Sequence, residues 1–141
     1  YRHALVASAA VQANPDWIAS HREISEFGQI YADAAKNALS LVTHSLERQQ
    51  LKELEDIAET LMSANAGYLT AVRSSYAAAY YLHYVGRMAL PTLQLIPRHQ
   101  NSAIDDLNDT KEGDVLSAIT VTPYSRETIE AYACAKHKGV K

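Results

Sequence analysis

The 141-residue sequence lacks the cysteines, the clustered histidines and the basic surface that would assign it at once to several classes of protein. Its single cysteine, Cys134, excludes an internal disulfide. Alanines surround Cys134, a pattern typical of a packed helix residue rather than a nucleophile. The six histidines include no pair at the four-residue spacing of a helix face, and no second cysteine completes a zinc site. We therefore expect no bound metal and no cofactor.

Charge and hydropathy exclude two further classes. The net charge is −3, and residues 1–46 contain three basic and four acidic side chains, so no basic face is available for nucleic acid. Charged residues interrupt every apolar run well short of the roughly 18 residues that a membrane span requires, and the N-terminus has no signal-peptide pattern. A hydrophobic content of 48% is typical of one soluble globular domain. We expect a cytoplasmic protein without a membrane partner.

The first third of the chain predicts helices. An alanine-rich stretch over residues 1–13 predicts a helix that Asn14-Pro15 ends, because the residue before a proline is disfavoured in the helical conformation. Over residues 15–45 apolar side chains recur every three or four positions, which predicts one long amphipathic helix. Nothing in the remaining chain is long enough to cover its apolar stripe, so we predict that a second subunit covers it. A similar pattern predicts another helix over residues 46–64.

Strand and helix patterns alternate in the second part of the chain. Short apolar runs predict strands at residues 68–72, 92–96 and 115–121. The last run is nearly unbroken, as in a strand that is covered on both faces. The alternation predicts an α/β fold, with a parallel sheet flanked by helices and preceded by the helical N-terminal segment. Val140-Lys141 has the pattern of a further strand, and no initiating methionine is present, so we expect a chain truncated at both ends.

Hydroxyl side chains follow two of the predicted strands at the points where helices begin. Arg73-Ser74-Ser75 follows the first strand, and Thr120, Thr122, Ser125 and Thr128 follow the last. Because the carboxyl ends of parallel strands share one edge of a sheet, both groups can face the same ligand. Hydroxyls and free backbone amides at helix N-termini bind anions, so phosphate is the natural ligand.

The same residues also have an interpretation without a ligand. Serine is favoured at helix N-caps, so Ser74 and Ser125 can be caps alone. Arg73 can be a surface residue or part of a structural ion pair. The tyrosines that follow at helical spacings indicate core packing or an interface; they are Tyr76, Tyr80, Tyr81 and Tyr84. The local pattern leaves both interpretations open.

Two segments, Val72–Tyr81 and Pro123–Thr128, resemble the sugar isomerase (SIS) domain of MurR/RpiR-type bacterial transcription regulators. The family's first loop runs glycine, any residue, arginine or glycine, any residue, serine, and it falls on Ala71–Ser75. The second loop runs serine, any residue, serine, glycine, any residue, threonine, and it falls on Thr120–Ser125. Ala71 and Pro123 replace glycines of these patterns, which predicts weaker phosphate binding or a different ligand.

The resemblance covers residues 46–141 and implies that they are the N-terminal part of a SIS domain with a phosphosugar site at the two loops. The predicted ligand-binding residues are Arg73, Ser74, Ser75, Thr120, Thr122, Ser125 and Thr128. The resemblance also implies that residues 1–45 are the helical remnant and connector of an N-terminal helix-turn-helix domain. Operator DNA would then be bound only through the missing part of that domain, and the chain would assemble as a dimer or tetramer.

These observations predict the effector-binding and oligomerisation region of a sugar-phosphate-responsive transcription regulator without catalytic activity. The competing prediction is a sugar-phosphate isomerase on the same fold, which needs a general base near a sugar carbon. Glu127 is the nearest carboxylate, but the helix dipole explains a glutamate in a first helical turn better. A third prediction is an assembly module that binds no ligand.

Overall fold

The computed structural model describes residues 16–141, so the helix predicted over residues 1–13 lies outside the described residues. The chain divides into two compact units, one ending at Leu51 and the other spanning Lys52–Lys141. Between residues 16 and 141, no helix has both the length and the apolar character that a membrane crossing requires.

The first unit contains two helices, α1 (Asp16–Arg22) and α2 (Glu26–Glu47). The prediction of one continuous helix over residues 15–45 is therefore wrong. Ser25 interrupts it, because its backbone is extended and its hydroxyl accepts a 3.0 Å hydrogen bond from the N–H of Gly28. A Cβ at Gly28 would lie 2.1 Å from the carbonyl oxygen of His21, so the close approach of the two helices requires glycine.

Polar and aromatic contacts hold α1 against α2. The ring of Tyr31 lies 6.2 Å from that of Trp17 and 5.6 Å from that of His21. Arg22 Nη2 is 2.7 Å from Asp33 Oδ1. The apolar stripe of α2 remains largely exposed, with Phe27 76% accessible. The prediction that a second subunit covers this stripe stays a prediction.

The second unit has the predicted α/β fold, a three-stranded parallel sheet flanked by helices. In chain order its elements are α3 (Leu51–Ser63), β1 (Gly67–Thr70), a 3₁₀ turn (Arg73–Ser75), α4 (Tyr76–Gly86), β2 (Leu93–Ile96), α5 (Ala103–Asp106), β3 (Val115–Ala118) and α6 (Arg126–His137). β2 and β3 lie within the predicted ranges, whereas β1 begins one residue before its range, at Gly67. All three strands are shorter than predicted, because each leaves the ladder after four residues.

The sheet has the order β2-β1-β3, with Gly67 paired to Leu93 on one side and to Val115 on the other. All four residues of β1 are buried, whereas in β3 burial declines to an exposed Ala118. The prediction that β3 is covered on both faces is therefore wrong. The strand that is central in the sheet and buried along its whole length is β1.

The core lies between the sheet and α6. It consists of the buried residues Tyr68, Ile96, Leu107, Ala131, Ala135 and Val140. Half-buried Cys134 packs against this cluster, as expected of a packed helix residue. On the opposite face α4 approaches the sheet so closely that a Cβ at Gly86 would lie 2.7 Å from Leu93 Cδ2.

The tyrosines of α4 do not pack in this core, so that part of their interpretation is wrong. The residue of this helix that is buried is the small Ala79. The exposed fractions of the four side chains lie between 44% and 69%; they are Tyr76, Tyr80, Tyr81 and Tyr84. The face of α4 that points away from the sheet is therefore aromatic and accessible.

The end of the chain pairs with the outer side of β3. Gly139, with φ of 74°, ends α6 in the left-handed conformation that glycine adopts readily. The N–H of Lys141 donates to the carbonyl of Asp114 at 3.2 Å, and the N–H of Leu116 donates to the carbonyl of Lys141 at 2.7 Å. Lys141 thus bonds to β3 as a residue of a neighbouring parallel strand does.

Candidate ligand-binding site

The two hydroxyl segments begin at adjacent strand ends. Thr70 closes β1 in register with Ala118 of β3, and the N–H of Ile119 donates to the carbonyl of Thr70 at 2.9 Å. The connection from β1 leads to β2 on one side, whereas β3 lies on the other. The loops after β1 and β3 therefore leave the sheet at a topological switch point, where α/β proteins commonly bind ligands.

The first hydroxyl segment forms the 3₁₀ turn that leads into α4. Val72 is extended and precedes the turn without a side-chain cap, so the interpretation of Ser74 as an N-cap is wrong. Arg73 has φ of 57°, in the left-handed region that favours glycine. Its side chain and that of Ser74 are exposed, whereas Ser75 is buried. The turn thus offers one guanidinium and two hydroxyls at a helix N-terminus that no side chain caps.

The second hydroxyl segment ends in a helix cap. The Oγ of Ser125 accepts a 3.3 Å hydrogen bond from the N–H of Thr128 and donates a 2.6 Å hydrogen bond to its Oγ1. Both residues are buried. The N-cap interpretation of Ser125 is therefore confirmed. The two hydroxyls use much of their hydrogen-bonding capacity on each other and on the backbone, which leaves less for a ligand.

The remaining predicted hydroxyls are divided between a cavity and the surface. Thr120 and Thr128 line a cavity of about 270 Å³ together with Tyr124 and Tyr132. Thr122 is exposed. The lining of this cavity does not include Arg73, Ser74 or Ser75. This cavity therefore contains two of the predicted hydroxyl residues, Thr120 and Thr128, and none from the first turn.

A second cavity, of about 230 Å³, lies at the carboxyl ends of β1 and β2. We call it the acidic cavity. Its lining includes Thr70, Val72, Asn101, Ser102, Glu127 and Glu130. Sequence reasoning missed it, although Thr70 carries the same signal as the predicted hydroxyls, a polar residue at the end of an apolar strand. No group of three or more histidine, cysteine, aspartate or glutamate side chains within residues 16–141 is arranged to hold a metal ion.

A buried aspartate fixes one wall of the acidic cavity. Asp106 accepts hydrogen bonds from the backbone N–H of Arg98, from Arg98 Nε at 3.3 Å and from Asn101 Nδ2 at 3.1 Å. Burial alone would raise the pKa of Asp106, but these hydrogen bonds and the charge of Arg98 outweigh burial and lower the pKa. The carboxylate therefore holds the loop that carries Asn101 into the cavity.

The fold has a counterpart of known structure, the sugar isomerase domain of an RpiR transcription factor from Sphaerobacter thermophilus. The superposition has a TM-score of 0.69 at 18% sequence identity and covers 79% of this chain. It covers 63% of the counterpart, so this chain spans less than two thirds of that structure. No family model and no curated protein matches the sequence. The resemblance that the sequence predicts is thus confirmed at the level of the fold, which is that of the sugar isomerase domain of an RpiR-type transcription regulator.

Proposed function

We propose that this chain is the effector-binding and oligomerisation region of a cytoplasmic, RpiR-family transcription regulator that responds to a sugar phosphate. The observation that carries the proposal is the position of the two hydroxyl segments. They follow neighbouring strands, paired at Thr70 and Ala118, on the fold of a regulator domain. Ligands of α/β proteins bind preferentially at such a strand junction.

The turn Arg73–Ser75 is the proposed phosphate site. The partial positive charge of a helix N-terminus favours an anion, and no side chain occupies this end of the turn. The exposed guanidinium of Arg73 adds a charged donor. The exposed hydroxyl of Thr122, on the loop after the neighbouring strand, is the proposed contact from the other side. Ser125 and Thr128 hold the second loop in place through their mutual hydrogen bond.

The proposal assigns no catalytic step to this chain. The first test is thermal unfolding with a panel of sugar phosphates, with the parent sugars and inorganic phosphate as controls. We expect one sugar phosphate to stabilise the chain, by about 2.7 kcal/mol at a hundredfold excess over its dissociation constant. Ser75→Ala and Thr122→Ala should reduce the shift, whereas Ser63→Ala, on α3, should not. Absence of any shift in folded protein contradicts the proposal, and turnover of the stabilising compound would indicate an isomerase instead.

Oligomerisation is the route by which a bound effector would reach DNA. The effector would favour one arrangement of two subunits, and the helix-turn-helix domain implied by the resemblance would carry the difference to the operator. The exposed aromatic face of α4 supports an interface, since Tyr81 and Tyr84 are more than 60% accessible. Light scattering should give twice or four times the mass of one chain. A monomer at micromolar concentration contradicts this part of the proposal.

A further inference from the structure

Two exposed helices of the second unit carry opposite charge. Helix α3 contains four carboxylates and one lysine. From residue 60 to residue 104 the sequence has no aspartate or glutamate, and its permanently charged side chains are Arg73, Arg87 and Arg98. This range includes the whole of α4. Because opposite charges attract across an interface and guide two surfaces together, α3 and α4 are complementary in charge.

Helix α4 and the arginine that caps it present tyrosine rings and a guanidinium on one side. We call this surface the tyrosine face; it consists of Tyr76, Tyr80, His83, Tyr84 and Arg87. Spacings of three and four residues place these side chains together, and the rings of Tyr76 and Tyr80 lie 6.3 Å apart. The last four of them, together with Met88, line a cavity of about 360 Å³. Arg87 is exposed and forms no ion pair with another residue of the range 16–141.

Helix α3 presents apolar side chains with carboxylates beside them. We call this surface the α3 stripe; it consists of Leu54, Ala58 and Met62, at four-residue spacing, and of Glu55 and Glu59, each one position further along the chain. No residue of α3 is buried, and the side chains of Leu54 and Met62 are 44% and 76% exposed. Glu55 and Glu59 form no ion pair within the part of the chain that the structure describes. The stripe is therefore open to a partner that offers both apolar and basic groups.

The two helices lie along opposite edges of the sheet. Ile57 of α3 lines a cavity with Val115 and Leu116 of β3. Gly86, at the end of α4, lies against Leu93 of β2. β2 and β3 are the two edge strands in the order β2-β1-β3. The complementarity of α3 and α4 is therefore available between two copies of the chain rather than within one.

We propose that the tyrosine face of one copy packs against the α3 stripe of a second copy. Leu54 and Met62 contact the tyrosine rings, and Glu55 and Glu59 face Arg87. Both helices are roughly 17–20 Å long at a rise of 1.5 Å per residue, so they fit alongside each other. In a two-fold symmetric pair the contact occurs twice, which doubles the area that it buries. This inference rests on the proposed oligomerisation and names the surfaces that form it.

Charge reversal tests the pairing, with the dissociation constant of self-association measured by sedimentation equilibrium on the whole chain. Arg87→Glu should weaken self-association about tenfold, and so should the double substitution Glu55→Arg with Glu59→Arg, because each places like charges opposite one another. An equimolar mixture of the two variants should associate about as tightly as the wild type, since every reversed face then meets its complement. Lys136→Glu reverses an exposed charge on α6 and should leave the constant unchanged.

A matched pair of tyrosines tests the apolar part of the contact. Tyr80 on α4 and Tyr132 on α6 are both 56% exposed. Tyr80→Ala should weaken self-association about tenfold, because tyrosines at the centre of an interface commonly contribute most to binding. Tyr132→Ala should leave the constant unchanged. Equal effects of the two substitutions contradict the inference.

The inference and the proposed oligomerisation fail in different ways. If the chain self-associates and its dissociation constant is unchanged in Arg87→Glu and in the double variant, oligomerisation stands and this interface does not. A mixture of the two variants that associates no more tightly than either variant alone also overturns the inference. A wild-type chain that is monomeric at micromolar concentration contradicts both. The substituted residues are all exposed, so far-UV circular dichroism should show an unchanged fold in each variant.

Discussion

Asp106→Ala should destabilise the second unit by about 3 kcal/mol at pH 7. The side chain of Asp106 is 1% exposed and accepts hydrogen bonds from Arg98 and Asn101. Removing the carboxylate leaves the backbone N–H of Arg98 and the side-chain amide of Asn101 without their acceptor. Denaturant unfolding, followed by a signal from the sheet and its helices, measures the loss. Asp106→Asn keeps one acceptor oxygen but not the charge, so we expect it to lose less.

The control for Asp106 is an exposed aspartate in an ion pair. Lys52 Nζ lies 2.6 Å from Asp56 Oδ1 on α3, and both side chains are more than half exposed. Asp56→Ala should therefore change the unfolding free energy by less than about 1 kcal/mol. Equal losses in the two variants would show that the network around Asp106 has no special contribution.

The contribution of Asp106 should also depend on pH in a defined direction. Its pKa in the folded protein is lowered from the ordinary value of 3.8. A lowered carboxyl pKa gives stability that is present above the pKa of the unfolded chain, about 3.9, and is lost as the pH falls through the folded value. The difference between the wild type and Asp106→Asn should therefore be constant from pH 5 to pH 7 and shrink below about pH 4.

The sequence predicts the fold class because its signals are local. Each strand of the sheet is a short apolar run, and Gly139 ends α6 where the helical pattern ends. The lateral order of the strands is not local, and an apolar run alone does not distinguish the central β1 from the outer β3. The break at Ser25 has a local signal, a serine N-cap followed by Glu26 in the first helical turn, but the continuous apolar stripe conceals it.

The candidate site also combines features that neighbouring residues predict with features that they do not. The hydrogen bonds between Ser125 and Thr128 span three residues, so a cap could be predicted there. The acidic cavity joins Thr70, Asn101 and Glu127, which lie on three separate segments, and no local pattern brings such residues together. The tyrosines of α4 were ambiguous for a related reason, because periodicity shows that residues share a helix face but not what covers that face.

Arg73→Gly should make the protein more stable and weaken its binding of a sugar phosphate. Arg73 has φ of 57°, a conformation that costs a residue with a Cβ of order 1–3 kcal/mol. Glycine removes that cost but gives the unfolded chain more freedom, so we expect a net gain of about 1 kcal/mol in unfolding free energy. Loss of the guanidinium should reduce the affinity for phosphate about tenfold. Denaturant unfolding and calorimetric titration measure the two effects.

Three further variants separate backbone strain from charge. Arg73→Ala removes the charge but keeps the strained backbone, so it should lose affinity as Arg73→Gly does without the gain in stability. Arg73→Lys keeps a positive charge and should lose less affinity. His99 has the same φ of 57° in the loop after β2, so His99→Gly should give a similar stabilisation while binding phosphate as the wild type does. If both Arg73→Gly and Arg73→Ala bind sugar phosphate with unchanged affinity, the turn Arg73–Ser75 does not use its arginine as a phosphate ligand.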